Sequence, residues 1–226
     1  MIISNFEVKS LFDDFNKLIV KAEKIAVFTR NIELQNEQIN KLSEFIENAT
    51  KLKNQNKEKF SEPELNLILC LIISADAVKS EISMVISLKN NEMHIAWGHL
   101  VQAQNSVSIV ARNHPMNDGE YLNGYVAKLN AFEKTLFPSF IFASTGGIIK
   151  KSICGICKSD YEECDHIKGT MYFGELCVRE IHEMELEEVS LVKNPADKMC
   201  IQLSVDFEGK SVDPFTLVEK TTGNTV

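Results

Sequence analysis

The chain has 226 residues, 44% of them apolar and 25% charged, with only 5 Pro and 10 Gly. This composition excludes collagen-like and wholly disordered chains and suits one or two soluble domains. The formal charge of −8 argues against a broad nucleic-acid footprint.

The longest uninterrupted apolar run, Leu67 to Ile73, is far short of the roughly 18 residues of a spanning helix. The opening MIISNFEVKSLFDDF has no basic start followed by an apolar stretch. No membrane anchor and no secretory signal is therefore expected, and the expected location is cytoplasmic.

Helix breakers divide the chain. No Pro precedes Pro63 and no Gly precedes Gly98, which predicts a helical region over 1–137 and a turn-rich region over 138–226. The charge follows the same split: 15 basic against 17 acidic residues in the first part, 9 against 15 in the second. The expected fold class is α+β, a helical bundle with coiled-coil-like features followed by a small β-rich zinc-binding domain.

In chain order, the first predicted helix spans about 7–56. Leu11, Leu18, Ile25, Ile32, Ile39 and Ile46 recur every seven residues along one seam. The companion heptad positions start apolar at Phe15 and Ala22, then turn polar at Thr29, Asn36 and Ser43. Such a seam suits an antiparallel hairpin or bundle better than a two-stranded zipper, and self-association or a protein partner is expected along it. KLKNQNKEKF, from Lys51 to Phe60, reads as a solvated connector with a basic strip.

Ser61, Glu62, Pro63 and Glu64 form a helix start, with a hydroxyl cap, Pro in the first turn and acids at the positive end of the dipole. The helix they open, about 63–88, is the most apolar and is placed centrally. A third helix, about 92–113, carries Trp97, Leu100, Val101 and Val107 as core, with His94 and His99 at its edge. Their spacing of five separates these histidines around the helix, which does not suit a shared metal. A fourth helix spans about 118–136, with Tyr121, Tyr125, Leu129 and Phe132 on one stripe, and Pro138 follows it.

The second region changes period. Phe140 to Phe142 and Ile148 to Ile149 flank Ser144-Thr145-Gly146-Gly147, which predicts short strands around a turn. Next comes the one specific motif, Cys154-Gly155-Ile156-Cys157 followed by Cys164-Asp165-His166. Two thiolates separated by two residues form a knuckle, with Gly155 placed for the turn, and a second pair closes a tetrahedral site with bonds of about 2.3 Å. Cysteines clustered in a chain without a secretory signal favour metal over disulfides.

The predicted ligands are Cys154, Cys157, Cys164 and His166, with Cys177 as the alternative fourth, for one structural Zn2+ per chain. Four protein donors leave no open position for activating water. Cys70 and Cys200 lie among apolar residues and are expected to be buried thiols. Val205, Phe207, Val212, Phe215 and Leu217 suggest one more hairpin, and Thr221 to Val226 a flexible tail.

The run CGICKSDYEECDHIKGTMYFGELC, with Glu188-Val189-Ser190-Leu191-Val192 and Asn194-Pro195-Ala196-Asp197, resembles the zinc-binding segment of phage proteins of the prohead-protease group. It is also similar to uncharacterised bacterial proteins that join this segment to a helical region with a Trp-x-x-Leu helix, as in AWGHLVQAQ. The resemblance covers about residues 138 to 203. It implies that Glu188 to Val192 is a strand, with Val189 and Leu191 in the core, and that Ser144 stands in the place of a catalytic serine.

No strand that would carry the partner histidine precedes Ser144 in the sequence. The leading functional expectation is therefore a non-enzymatic zinc-binding interaction or adaptor protein, part of a phage-related or defence assembly. The alternatives are a prohead-protease-like serine peptidase acting through Ser144, and a nucleic-acid accessory protein using Lys51 to Lys59. The acids of the KSDYEE loop between Cys157 and Cys164 disfavour phosphate.

Overall fold

A computed structural model describes residues 5–114, 120–201, 205–207, 210–216 and 218–219. The fold is α+β. Five helices, α1 (Phe6–Ala26), α2 (Ile32–Gln55), α3 (Glu62–Lys89), α4 (Met93–Asn113) and α5 (Glu120–Leu136), precede the strands β1 (Phe142–Cys154), β2 (Met171–Tyr172), β3 (Glu175–Leu176), β4 (Arg179–Val192), β5 (Val205–Phe207) and β6 (Lys210–Val212). The strands pair as three two-stranded antiparallel sheets, β1 with β4, β2 with β3 and β5 with β6. Among the described residues, no helix is long and apolar enough to cross a membrane.

The single helix expected over 7–56 is two helices. Asn31 accepts hydrogen bonds from the backbone of Glu33 and Leu34, which caps α2, and Thr29 accepts from Asn31 N at 3.2 Å. Lys89, at the end of α3, donates to Thr29 O and to Gln35 Oε1, while buried Gln35 donates to Ala26 O at 2.6 Å. The carbonyls freed at the break thus find partners inside the fold.

α1 folds back on α2, bringing the Phe15 and Phe45 rings to 5.8 Å. The heptad seam is only half-buried throughout. The fully covered positions lie beside it, at Ile19, Ala22 and Ala26 on α1 and Leu42, Phe45 and Ala49 on α2.

α3 is the central helix, packed by α1, α2 and α4. Its start is held as expected, with Ser61 N donating to Glu64 Oε2 at 3.0 Å and Pro63 in the first turn. Buried Glu81 on this helix pairs with Lys128 of α5 at 2.9 Å, and Lys128 also lies over the Tyr125 ring. Trp97, Leu100, Val101 and Val107 of α4 are core residues. On α5, Tyr125 and Leu129 are buried, whereas Tyr121 is exposed and donates to Glu23 of α1.

The strand region builds on this body. Phe140, Phe142, Ile201 and Phe215 join the same core as Trp97, whose Nε1 donates to Lys198 O at 2.9 Å. Lys198 in turn pairs with Glu133 of α5 at 2.6 Å. The expected final hairpin is present as β5 and β6. Leu217 and Thr221 to Val226 lie outside the described residues, as do 118 and 119.

Ser144 to Gly147 make no turn. β1 runs straight through them, paired with β4 from Phe142↔Val192 to Cys154↔Arg179, and the register shifts between Gly146 and Gly147. The two glycines serve that bulge: a Cβ on Gly147 would overlap the Glu185 carbonyl oxygen.

β4 is a strand, but Val189 and Leu191 are 61% and 67% exposed and not core. Among the described residues, no second layer covers them. Cys200 is also exposed, in a turn where its backbone carbonyl accepts from Ala143 N at 2.8 Å.

Candidate metal centre

The ribbon of β1 and β4 ends in the knuckle. Cys154 closes β1, its N–H donating to Ser159 O and its carbonyl accepting from Lys158 N, both at 2.9 Å. Lys158 takes the left-handed conformation, with φ 62°, that turns the chain back. Gly155 is needed for a different reason from the turn itself. Its N–H donates to Val178 O, and a Cβ there would stand 2.6 Å from Val178 Cγ2.

A single 3-10 turn, Tyr161–Glu163, then carries the chain to the second pair of donors, capped by the Asp160 side chain. His166 N donates to Cys164 Sγ at 3.3 Å, and Cys164 Sγ stands 3.7 Å from His166 Nδ1.

The ligand atoms of Cys154, Cys157, Cys164 and His166 all lie within 4.8 Å of one another, and the four residues can hold a metal ion. A tetrahedral site with metal–sulfur bonds of about 2.3 Å has ligand–ligand edges of about 3.8 Å. The cluster is thus within about 1 Å of a closed site, and its soft donor set fits such an ion. Cys177, the alternative fourth ligand, is buried with Sγ 3.9 Å from Cys154 Sγ, but it is not one of the four.

The thiols are not equivalent. Burial acts to raise Cys154, but the backbone N–H groups of Cys157 and Ile156 and the neighbouring thiols outweigh it and hold the group at about 7. Hydrogen bonds from Ser159 lower Cys157. Burial raises Cys164 and Cys177 to about 11, with the adjoining Cys154 adding to the effect. The knuckle side of the cluster is therefore the side prepared to carry negative charge.

Supporting residues arrive from a distance. The Tyr172 ring meets His166 edge-on at 4.6 Å, and the Tyr172 hydroxyl accepts from Ile167 N. Arg179 donates to Ser152 Oγ at 2.9 Å, pairs with Glu162 and lies over the Tyr161 ring, tying β1, the loop and β4 together. Behind the loop, Met171 packs against Cys70 and Val110 of the helical body. Asn113 receives Met171 N and donates to Gly169 O, while Asn66 holds Met171 O and Gly174 N. The spacing of Cys and His marks the ligands but carries no sign of these partners, which lie up to 108 residues away in sequence.

The lysine strip also belongs here, and only its second half, 56–60, is the mostly exposed connector that the sequence predicts. α2 runs on to Gln55, Lys53 donates to Gly174 O at 2.5 Å, and Lys57 pairs with Glu175. Two of its cations therefore hold the β2–β3 hairpin.

Ser144 sits in the ribbon opposite Ser190. His182, the histidine of the paired strand, is eight residues from Ser190, about 26 Å along an extended chain. His94 packs against Phe215, and His99 is half-buried on α4, where burial and then Lys79 lower its pKa. Neither joins the metal cluster.

No family model, curated protein or solved structure matches the chain. None of these comparisons links the chain to the prohead-protease group.

Proposed function

We propose that the protein is a non-enzymatic interaction module in which a structural zinc ion, held by Cys154, Cys157, Cys164 and His166, fixes one end of an exposed β-ribbon on a helical body. The observation that carries this reading is the cluster itself: three sulfurs and one imidazole drawn together where β1 ends, the number and kind of donors a closed tetrahedral zinc site takes. When bound, zinc supplies folding free energy to a segment with little core of its own. The chain's residues do the rest. Arg179 and Tyr172 orient the loop, and Asn66 and Asn113 dock it on α3 and α4.

Two features support this reading over the alternatives. Ser144 has no histidine in reach along its ribbon, and two of the four lysines of the strip, Lys53 and Lys57, are paired with the β2–β3 hairpin.

The test is metal content together with native association. Protein purified without added zinc is expected to carry one zinc per chain. In its own cell it is expected to migrate as part of a larger protein complex, which Cys154→Ser disrupts. A metal-free folded chain, or a lone monomer in the native cell, would overturn the reading.

A further inference from the structure

The two outer edges of the β1–β4 ribbon differ. The free side of β1 is closed at both ends, by the bridge of Phe142 to Ile201 with Ala143 N donating to Cys200 O, and by the bridge of Ile153 to Asp160 with Cys154 N donating to Ser159 O. The free side of β4 has no backbone partner among the described residues from Arg179 to Val192. A two-stranded ribbon is marginal by itself in water, and an open edge is a template for another strand.

The side chains on this edge specify what can pair with it. β4 carries Glu180, Glu183, Glu185, Glu187 and Glu188, and exposes Ile181, Met184, Leu186, Val189 and Leu191. Over Glu183 to Leu186 no bulge interrupts β4, so Glu183 and Glu185 share one face and Met184 and Leu186 the other. Glu185 pairs with Lys150, Glu180 with Lys158, and Glu188 accepts from Ser190. Glu183 and Glu187 make no ion pair within 4.0 Å among the described residues, although Lys151 stands opposite Glu183 across the ribbon. A second copy adding β4 to β4 would set these glutamates against each other, whereas a cationic strand would neutralise them.

We infer that the open β4 edge is a β-augmentation site for an extended segment of a partner protein that alternates cationic and apolar residues. This rests on the interaction-module reading and names the partner's chemistry. Backbone hydrogen bonds to β4 supply affinity, cations lie on the glutamate face, and apolar side chains cover Met184 and Leu186. The metal centre fixes one end of the ribbon and the bridge to Ile201 the other, so the edge is held extended before the partner arrives.

The probe is a labelled twelve-residue peptide alternating Lys and Val, titrated into the full-length, zinc-loaded protein. It is expected to bind, to weaken about tenfold between low and high salt, and to slow amide exchange over residues 183–191. The same peptide N-methylated at alternate amides is expected to fail in one of its two phases and to bind in the other, and a Glu-for-Lys peptide to fail in full. E183K/E187K should lose the Lys peptide about tenfold or more and accept the Glu peptide. E183Q/E187Q, which adds no repulsion, should weaken the first without gaining the second.

Equal binding to the wild type and both variants, equal binding of both N-methylated peptides, or protection outside β4 would overturn the inference. So would absence of binding, or self-association of the protein that E183K/E187K abolishes. If the peptide fails while the native complex persists and still needs Cys154, the edge is wrong and the interaction module stands. If the native complex is also absent, the module reading falls with it.

Discussion

Cys70 and Cys200 carry the same side chain in opposite surroundings. Cys70 is buried between α3 and β2 against Met171, and burial pushes its thiol up to about 12, so it stays protonated and inert at neutral pH. Cys200 lies exposed in a turn. A maleimide at pH 8 should therefore modify Cys200 of the native, zinc-loaded protein within minutes and leave Cys70 untouched until denaturant is added, as peptide mass mapping would read. Apolar neighbours in sequence cannot separate the two cases, because what distinguishes them is whether a helix lies on top.

Metal binding requires thiolates, so each thiol still protonated must release its proton. Cys154, held at about 7, is already ionised above that pH and protonated below it. The number of protons released per zinc bound should rise by about one as pH falls through 7, and apparent affinity should fall more steeply on the acid side. Calorimetry in buffers of different ionisation enthalpy measures this directly.

At the scale of elements, the helices α3, α4 and α5 were legible to within a residue or two. Their signals are local, such as the Ser61 to Glu64 start of α3 and the stop before Pro138 that ends α5. The break between α1 and α2 was hidden because the seven-residue apolar repeat runs across it unchanged. It is set by Lys89 and Gln35, which satisfy backbone carbonyls that a continuous helix would have used internally.

The glycine pair in β1 departs from the expected turn for a related reason. Ser-Thr-Gly-Gly is turn chemistry when taken alone, and only the paired strand shows that the glycines admit a bulge. Gly147→Ala puts a methyl group onto the Glu185 carbonyl and should destabilise the ribbon by about 1–3 kcal/mol. Faster amide exchange over 142–152 and 181–192, with the helices unchanged, would show it.

For the whole molecule, the division into a near-neutral helical part and an acidic cysteine-rich part describes the sequence better than it describes the packing. Phe140, Phe142, Ile201 and Phe215 share the core of the helices, and Met171 seals against α3 and α4. The Cys/His cluster was legible because a Cys-x-x-Cys knuckle and a following Cys-x-His pair are local spacings. The residues that hold the metal loop on the body, Lys53, Asn66, Asn113 and Arg179, were not, since each acts across a long stretch of chain on partners chosen by the fold.

The central claim is that one zinc is held by three cysteines and His166, with Cys177 standing behind Cys154. Native mass spectrometry of the wild type, His166→Ala, Cys177→Ser and Cys154→Ser tests it most directly. One zinc per chain in the wild type and in Cys177→Ser, with loss of the ion in Cys154→Ser and His166→Ala, is the predicted result. A wild type without metal, or a Cys177→Ser protein that loses zinc while His166→Ala keeps it, would contradict it.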